Sequence, residues 1–152
     1  MTYAILPHTH FMQHALSLAK KAQAQGEIPV GAILVLNHEI IGESYNQAIT
    51  LHDPTAHAEI LALRDAGQKI QNYRFMDATL YVTLEPCNMC VGALIHARVK
   101  NLVFGALDPK TGSVATHLHL LEQTMFNHKI AWEGGCLAKE CGQLLTDFFR
   151  DK

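Results

Sequence analysis

The fold is decided by the segment DATLYVTLEPCNMCVGALIHARVKNLVFGA, which spans residues 77–106. Its first part, 78–84, is rich in β-branched and aromatic residues and predicts a strand. Pro86 interrupts that strand, and a short helix is predicted from about 88 to 96. A second apolar run over 102–104 predicts another strand. A strand, a helix and a strand with short connections predict a parallel βαβ unit.

The residues on either side of this segment predict two longer helices and a hairpin. Apolar residues recur at spacings of three and four over about 11–25, and again over about 137–150, which is typical of amphipathic helices. Residues 29–36 and 39–45 have the composition of strands, and the two residues between them are typical of a turn. These two strands therefore predict an antiparallel hairpin.

A further helix is predicted to begin near residue 56 or 57 and to end before Gly67, with Thr55 as its N-cap candidate. A hairpin combined with βα units predicts a mixed sheet with helices on its faces, which is an α/β fold. No repeat, linker or low-complexity tract divides the sequence. We therefore predict one domain over residues 1–152.

Composition excludes several classes of protein. The chain has 152 residues, of which 49% are hydrophobic and 17% charged, so intrinsic disorder is excluded as the main description. Its net charge of −2 does not fit a general nucleic-acid coat, and its longest apolar run, 32–36, is far too short to span a membrane. The N-terminal segment lacks the basic start of a secretion signal, so we expect a cytoplasmic, reducing location.

Two cysteines open the predicted helix of the deciding segment. Cys87 and Cys90 are three positions apart, so both thiols can face one metal ion from the same side of the helix. The helix N-terminus lowers the pKa of such thiols, and zinc is the metal that suits thiolates in this arrangement. In a reducing compartment, a C-x-x-C pair more often binds metal or does redox work than forms a structural disulfide.

His57 and Glu59 supply what two thiolates lack. His57 can be the third protein ligand, which leaves the fourth position for water, as in catalytic zinc sites. Glu59 would then move protons to and from that water. Because residues two apart on a regular helix do not face each other, we expect His57 to lie at or before the first turn.

The motif H-x-E followed by P-C-x-x-C is the signature of zinc deaminases. Three runs, at 53–59, 83–90 and 104–112, then resemble the bacterial tRNA adenosine deaminases, and the likeness extends from the first helix to the FFR run that ends at Arg150. The resemblance implies the three-layer α/β/α cytidine-deaminase-like fold and a homodimer. It also implies one zinc ion per subunit and conversion of adenosine to inosine at the wobble position of a tRNA anticodon stem-loop.

In the mechanism that the resemblance implies, Glu59 takes a proton from the zinc-bound water and hydroxide attacks C6 of adenine. Glu59 also protonates N1 and passes a proton to the departing ammonia. Asn46 would hydrogen-bond the purine. The other residues expected at the substrate are Ala58, Glu85, Asp108, Lys110, Phe149 and Arg150. For Glu85, two readings stay open, a backbone contact with substrate or support of the turn. Pro109 departs from the family's pattern and would stiffen its loop.

Two other functions fit parts of the sequence. The same zinc motif serves deaminases of free guanine, cytosine or a nucleoside. A non-catalytic RNA-binding module is the second alternative, in which Cys136 and Cys141 join Cys87 and Cys90 in a structural zinc site. That reading leaves His57 and Glu59 without a role.

Overall fold

A computed structural model of the protein describes residues 6–152; the first five residues, which belong to the segment tested for a secretion signal, lie outside the described part. Helices and strands alternate along much of the chain. The helices are α1 (His8–Ala24), α2 (Ala58–Ile70), α3 (Asn88–His96) and α4 (Ala138–Arg150). The strands are β1 (Gly31–Leu36), β2 (Glu39–Tyr45), β3 (Thr79–Leu84), β4 (Asn101–Ala106) and β5 (Ala131–Glu133).

The five strands form one mixed sheet in the order β2-β1-β3-β4-β5. Strand β1 pairs antiparallel with both β2 and β3, whereas β4 pairs parallel with β3 and with β5. The predicted hairpin is therefore confirmed as β1 and β2. The predicted βαβ unit is confirmed as β3, α3 and β4.

Helices cover both faces of the sheet, because the central strands alternate between two apolar clusters. In β1, Ala32 and Leu34 join the cluster that contains α2 and α3, while Ile33 and Val35 join the cluster that contains α1 and α4. All four of these strand residues are buried. A strand buried on both faces reads as a continuous apolar run, as this one does. The predicted α/β/α layering is confirmed.

Two glycines let helices lie directly on the sheet. A Cβ on Gly42 in β2 would lie 2.5 Å from the carbonyl oxygen of Ala62 in α2, and one on Gly31 would overlap the backbone of α1 at Ala15. Neither glycine has a positive φ, so close packing rather than backbone freedom requires the missing side chain. The helices reach the sheet at these positions because no Cβ intervenes.

Several predicted boundaries are wrong by a few residues. Helix α1 begins at His8 rather than near residue 11, directly after Pro7, whose ring fixes a φ of −68°. Helix α2 continues through Gly67 to Ile70, because one glycine costs a helix only about 1 kcal/mol. The N-cap prediction for Thr55 is also wrong: its hydroxyl donates to Asp53 at 2.7 Å.

Strand β5 was not predicted from the sequence. It has three residues, all exposed, so it carries no alternation of apolar and polar side chains. Its position follows from backbone pairing with β4. Among the described helices, none is long and apolar enough to cross a membrane.

We expect Gly42→Ala to lower the free energy of unfolding by about 1–3 kcal/mol, because the new methyl group would force α2 away from the sheet. Gly142→Ala in α4 is the matched control, since its Cβ would come no closer than 3.9 Å to Ala106. That control should be neutral or stabilising by about 0.5–1 kcal/mol. Urea denaturation followed by circular dichroism measures both, and equal stability of the two variants would contradict the packing argument.

Candidate active site

The N-termini of two helices meet on one face of the sheet. His57 is the N-cap of α2, and Cys87 is the N-cap of α3. Both N-caps have extended backbone, with ψ values of 154° and 174°. His57 therefore precedes the regular helix, as predicted, and its side chain shares one pocket with that of Glu59.

His57, Cys87 and Cys90 are placed to hold a metal ion. Their ligand atoms all lie within 4.8 Å of one another. The Nδ1 atom of His57 is 3.6 Å from Sγ of Cys87 and 3.5 Å from Sγ of Cys90. Tetrahedral zinc with ordinary bond lengths of about 2.0–2.1 Å to nitrogen and 2.3 Å to sulfur separates such atoms by about 3.5 Å. The imidazole and the two thiols therefore fit zinc.

Electrostatics within this group favour a thiolate at Cys87. A hydrogen bond from Cys90 to Cys87 lowers the pKa of Cys87 to about 4, and the neighbouring His57 adds to this effect. The same hydrogen bond raises the pKa of Cys90, which is also buried. The positive ends of two helix dipoles point at the same place, which further suits a negatively charged ligand.

Glu59 lies in the first turn of α2 and is only 4% exposed. Burial raises the pKa of its carboxyl to about 7, and the neighbouring charge of Cys87 adds to this shift. A carboxyl that titrates near neutral pH can both accept and return a proton, which is the property required of a general acid and base. Glu59 therefore has the environment of a proton carrier beside the metal ligands.

A cavity of about 160 Å³ opens onto these residues. That is smaller than the roughly 300–1,000 Å³ of pockets for drug-sized ligands and suits a single planar base. The eleven lining residues are Ile28, Val30, Asn46, His57, Ala58, Glu59, Leu84, Glu85, Cys87, Asp108 and Thr111. The cavity thus brings together one catalytic candidate, two ligand candidates and four residues predicted to contact substrate.

Of the predicted substrate residues, Asn46 and Ala58 line the cavity and are almost or fully buried. Asp108 also lines the cavity, but its carboxylate is engaged in its own loop. It accepts hydrogen bonds from the amides of Lys110 and Thr111 at 3.0 and 3.2 Å, and from the Thr111 hydroxyl at 2.9 Å. Its side chain closes a turn.

Lys110, Phe149 and Arg150 do not line the cavity. Lys110 is exposed, and Phe149 at the end of α4 is 56% exposed. Arg150 pairs with Asp147 at 3.4 Å and with Asp151 at 3.1 Å. Their contacts with substrate remain predictions that concern the surface outside the pocket.

Sequence reasoning missed the apolar walls and one anchoring carboxylate. Ile28, Val30 and Leu84 line the cavity but read as ordinary strand or loop residues. Glu27 is 1% exposed and accepts hydrogen bonds from the amides of Ile49 and Thr50 at 3.1 and 2.7 Å. An acidic residue just before an apolar strand was the one signal available for it.

The alternative zinc site with four cysteines is wrong. In the described part of the chain, the metal-ligand group contains only His57, Cys87 and Cys90. Cys141 belongs to the apolar cluster of α1 and α4, whereas Cys90 is buried in α3 on the opposite face of the sheet. A single ion cannot bridge the two faces.

A family model of the cytidine and deoxycytidylate deaminase zinc-binding region matches residues 7–106. The chain belongs to this deaminase family. A tRNA-specific adenosine deaminase of Haemophilus influenzae is 54% identical over 142 residues, which are 93% of this chain and 82% of that protein. The family assignment and the cytidine-deaminase-like fold implied by the sequence are confirmed, and the family's zinc-binding region agrees with the geometry of the ligand group.

Two solved structures share this fold. One comes from studies of A-to-I editing by tRNA:A34 deaminases at the wobble position of transfer RNA; it has a TM-score of 0.88 and 40% identity, and the match covers 91% of this chain and all of that one. The other is a guanine deaminase from Nitrosomonas europaea, with a TM-score of 0.78 and 21% identity, covering 96% and 86%. The second likeness shows a shared fold alone.

We expect the purified protein to contain about one zinc ion per chain, and Cys90→Ser to lose it because a hydroxyl is a much poorer zinc ligand than a thiolate. Cys136→Ser is the matched control and should keep its zinc, since Cys136 lies outside the ligand group. Elemental analysis after gel filtration measures both. Zinc lost from Cys136→Ser, or kept by Cys90→Ser, would contradict the assigned ligands.

Glu27 predicts a pH dependence of stability. Burial opposes its ionisation, but hydrogen bonds from Thr50 and Ile49 outweigh burial and lower the pKa below its ordinary value of 4.5. The stabilisation is therefore complete above that value and is lost as pH falls through the folded-state pKa. Glu27→Gln should destabilise the protein most at neutral pH, and less as pH falls. Urea denaturation from pH 7 to pH 3 tests this, and a constant difference would contradict it.

Proposed function

We propose that the protein is a zinc-dependent hydrolase that deaminates adenosine to inosine at the wobble position of a tRNA anticodon. The observation that carries the chemistry is the buried carboxyl of Glu59, with its pKa raised to about 7, beside a ligand group that fits zinc. The choice of adenosine in tRNA rests on the relative that is 54% identical over 93% of the chain and bears that activity in its name.

His57, Cys87 and Cys90 would hold the zinc ion. When bound, zinc lowers the pKa of a water molecule and so supplies a nucleophile at neutral pH. Glu59 accepts the proton of that water and delivers a proton to N1 of the adenine as C6 is attacked. It then takes the second proton of the attacking oxygen and passes it to the amino group, which leaves as ammonia when its bond to C6 breaks. Each transfer uses the same carboxyl, because it titrates near neutral pH.

The cavity favours a base taken out of a helix. Its volume of about 160 Å³ accommodates one base, so the target must leave its stack to reach Glu59. Unstacking costs a few kcal/mol in a duplex and less in a single-stranded loop, which favours an anticodon loop as substrate. Asn46 and Ala58 line the cavity, which supports contacts between these residues and the base.

The RNA around the target base would lie on the surface outside the cavity. We assign its contacts to Lys110, Phe149 and Arg150, all of which are exposed. A net charge of −2 means that such contacts must be local. The active form is proposed to be a homodimer in the cytoplasm, as the family resemblance implies.

The test is a deamination assay on total bacterial tRNA, with nucleosides analysed by mass spectrometry after digestion. We expect inosine with the wild-type protein and a loss of at least about 100-fold in rate with Glu59→Gln, which keeps the size of the side chain but cannot accept the proton. The variant should retain its zinc. Unchanged turnover in Glu59→Gln would contradict its assigned role.

Other substrates are outcomes of the same experiment. Free guanine and cytidine are assayed in parallel with tRNA. Faster turnover of either free compound would replace the proposed substrate while keeping the mechanism. Zinc-loaded protein that binds tRNA but turns over none of these compounds would instead support the non-catalytic binding module.

A further inference from the structure

The side chain of Glu85 is fully occupied by hydrogen bonds from a neighbouring loop. Its carboxylate is 1% exposed and accepts five hydrogen bonds, all from the loop of residues 108–116. One oxygen accepts the amide of Asp108 at 3.1 Å and the hydroxyl of Thr116 at 2.5 Å. The other accepts the amides of Val114, Ala115 and Thr116 at 3.1, 2.8 and 2.9 Å. A saturated, buried carboxylate has no lone pair left for a substrate.

Backbone hydrogen bonds attach the same loop to the segment that carries a metal ligand. The amide of Ser113 donates to the carbonyl of Pro86 at 2.9 Å, and just before the loop the amide of Glu85 donates to the carbonyl of Ala106 in β4 at 2.8 Å. Pro86 is followed directly by Cys87, the N-cap of α3. The loop is therefore fixed against the junction between β3 and α3 at several points, and the Glu85 carboxylate provides five of them.

The 108–116 loop forms one wall of the cavity through Asp108 and Thr111. Its remaining polar contacts lie within the loop or reach residues 117–120 that follow it: Asp108 closes the turn at Thr111, and the ring of His117 donates to the carbonyl of Pro109 at 2.7 Å. Such local contacts set the shape of the loop. They do not set its distance from the metal ligands.

We infer that Glu85 is a positioning residue, whose side chain holds the 108–116 loop at a fixed distance from the junction carrying Cys87. The cavity wall formed by this loop thereby keeps a fixed position relative to the metal ligands. This inference rests on the proposed function, because it assigns a role in that reaction. Of the two readings left open for Glu85, the side-chain contacts favour support of the turn, whereas a backbone contact with substrate stays a prediction.

Glu85→Gln should affect the loop first at Asp108. An amide group replaces one carboxylate oxygen with a donor, and three backbone amides already point at one of the two positions. The NH₂ group is therefore expected at the other position, where the Thr116 hydroxyl can rotate to become the acceptor. The amide of Asp108 cannot, so it loses its partner. Asp108, whose amide loses its hydrogen bond to residue 85, lines the cavity.

The first experiment compares wild-type protein and Glu85→Gln, both folded and loaded with zinc. We expect KM for tRNA to rise about tenfold and kcat to change by less than about threefold, because the wall binds the ground state and transition state alike. Hydrogen exchange at the amides of Val114, Ala115 and Thr116 should accelerate at least about tenfold. Unchanged KM and kcat, unchanged exchange, or loss of zinc from the variant would each overturn the inference.

Gly112→Ala perturbs the same contact without altering Glu85. A Cβ at residue 112 would overlap the Glu85 carboxylate and lie 2.6 Å from the carbonyl oxygen of Asp108, so the loop must move away. The φ at Gly112 is not positive, so alanine adds no backbone strain. We expect a similar rise in KM for Gly112→Ala. In the double variant with Glu85→Gln, KM should rise by less than the product of the two single-variant factors, because both substitutions disturb the same contact. A rise equal to that product would overturn the inference.

Glu27→Gln is the matched control, because Glu27 is equally buried but accepts hydrogen bonds from Ile49 and Thr50 instead. It should leave exchange at residues 114–116 unchanged. Faster exchange there in this control would show general destabilisation and overturn the inference. If wild-type protein fails to deaminate any tRNA, the proposed function fails, whereas the exchange comparison still tests whether Glu85 holds the loop.

Discussion

The close packing of α2 on the sheet is the constraint on which the active site depends. The sheet-facing side of this helix carries Ala58, Ala62 and Ala66, all fully buried, and Gly42 in β2 leaves room for its backbone. Because these residues are small, the helix lies low on the sheet and its N-terminus reaches the end of β3. His57 thereby lies 3.6 Å from Cys87, although 30 residues separate them in the sequence. The distance between these two metal-ligand side chains is thus set by small residues that are not ligands themselves.

Three buried glutamates show how environment separates roles. Burial acts on all of them in the same direction, towards a higher pKa. Glu27 and Glu85 each receive hydrogen bonds from loop amides, which outweigh burial and keep the pKa low, so both serve as fixed acceptors. Burial dominates at Glu59, so its pKa rises to about 7 and its proton becomes exchangeable. One residue type therefore provides two structural anchors and one carboxyl with the environment required of a proton carrier.

The sequence was most informative where chemistry or periodicity is local. The βαβ unit, the hairpin and the H-x-E and C-x-x-C motifs depend on spacing within short segments, and the position of His57 followed from helix geometry alone. Strand β5 and the role of Glu85 could not be predicted in this way. Strand β5 is defined by pairing with β4, and Glu85 by partners 23 to 31 residues away. Such contacts exist only after the chain has folded, and they leave no pattern in the neighbouring sequence.

Substrate choice follows from a separation between the centre and the walls of the cavity. The fold is shared with a guanine deaminase, so the fold by itself does not select the base. With zinc held at the N-termini of α2 and α3, this centre would supply an acidified water and a proton-carrying carboxyl to any amino-substituted ring. Selection must therefore come from the walls, which include loops that begin at Asn46 and Asp108. Each loop is held by its own buried carboxylate, Glu27 or Glu85. Loops anchored in this way can differ in sequence at their tips while the distance to the metal ligands stays fixed.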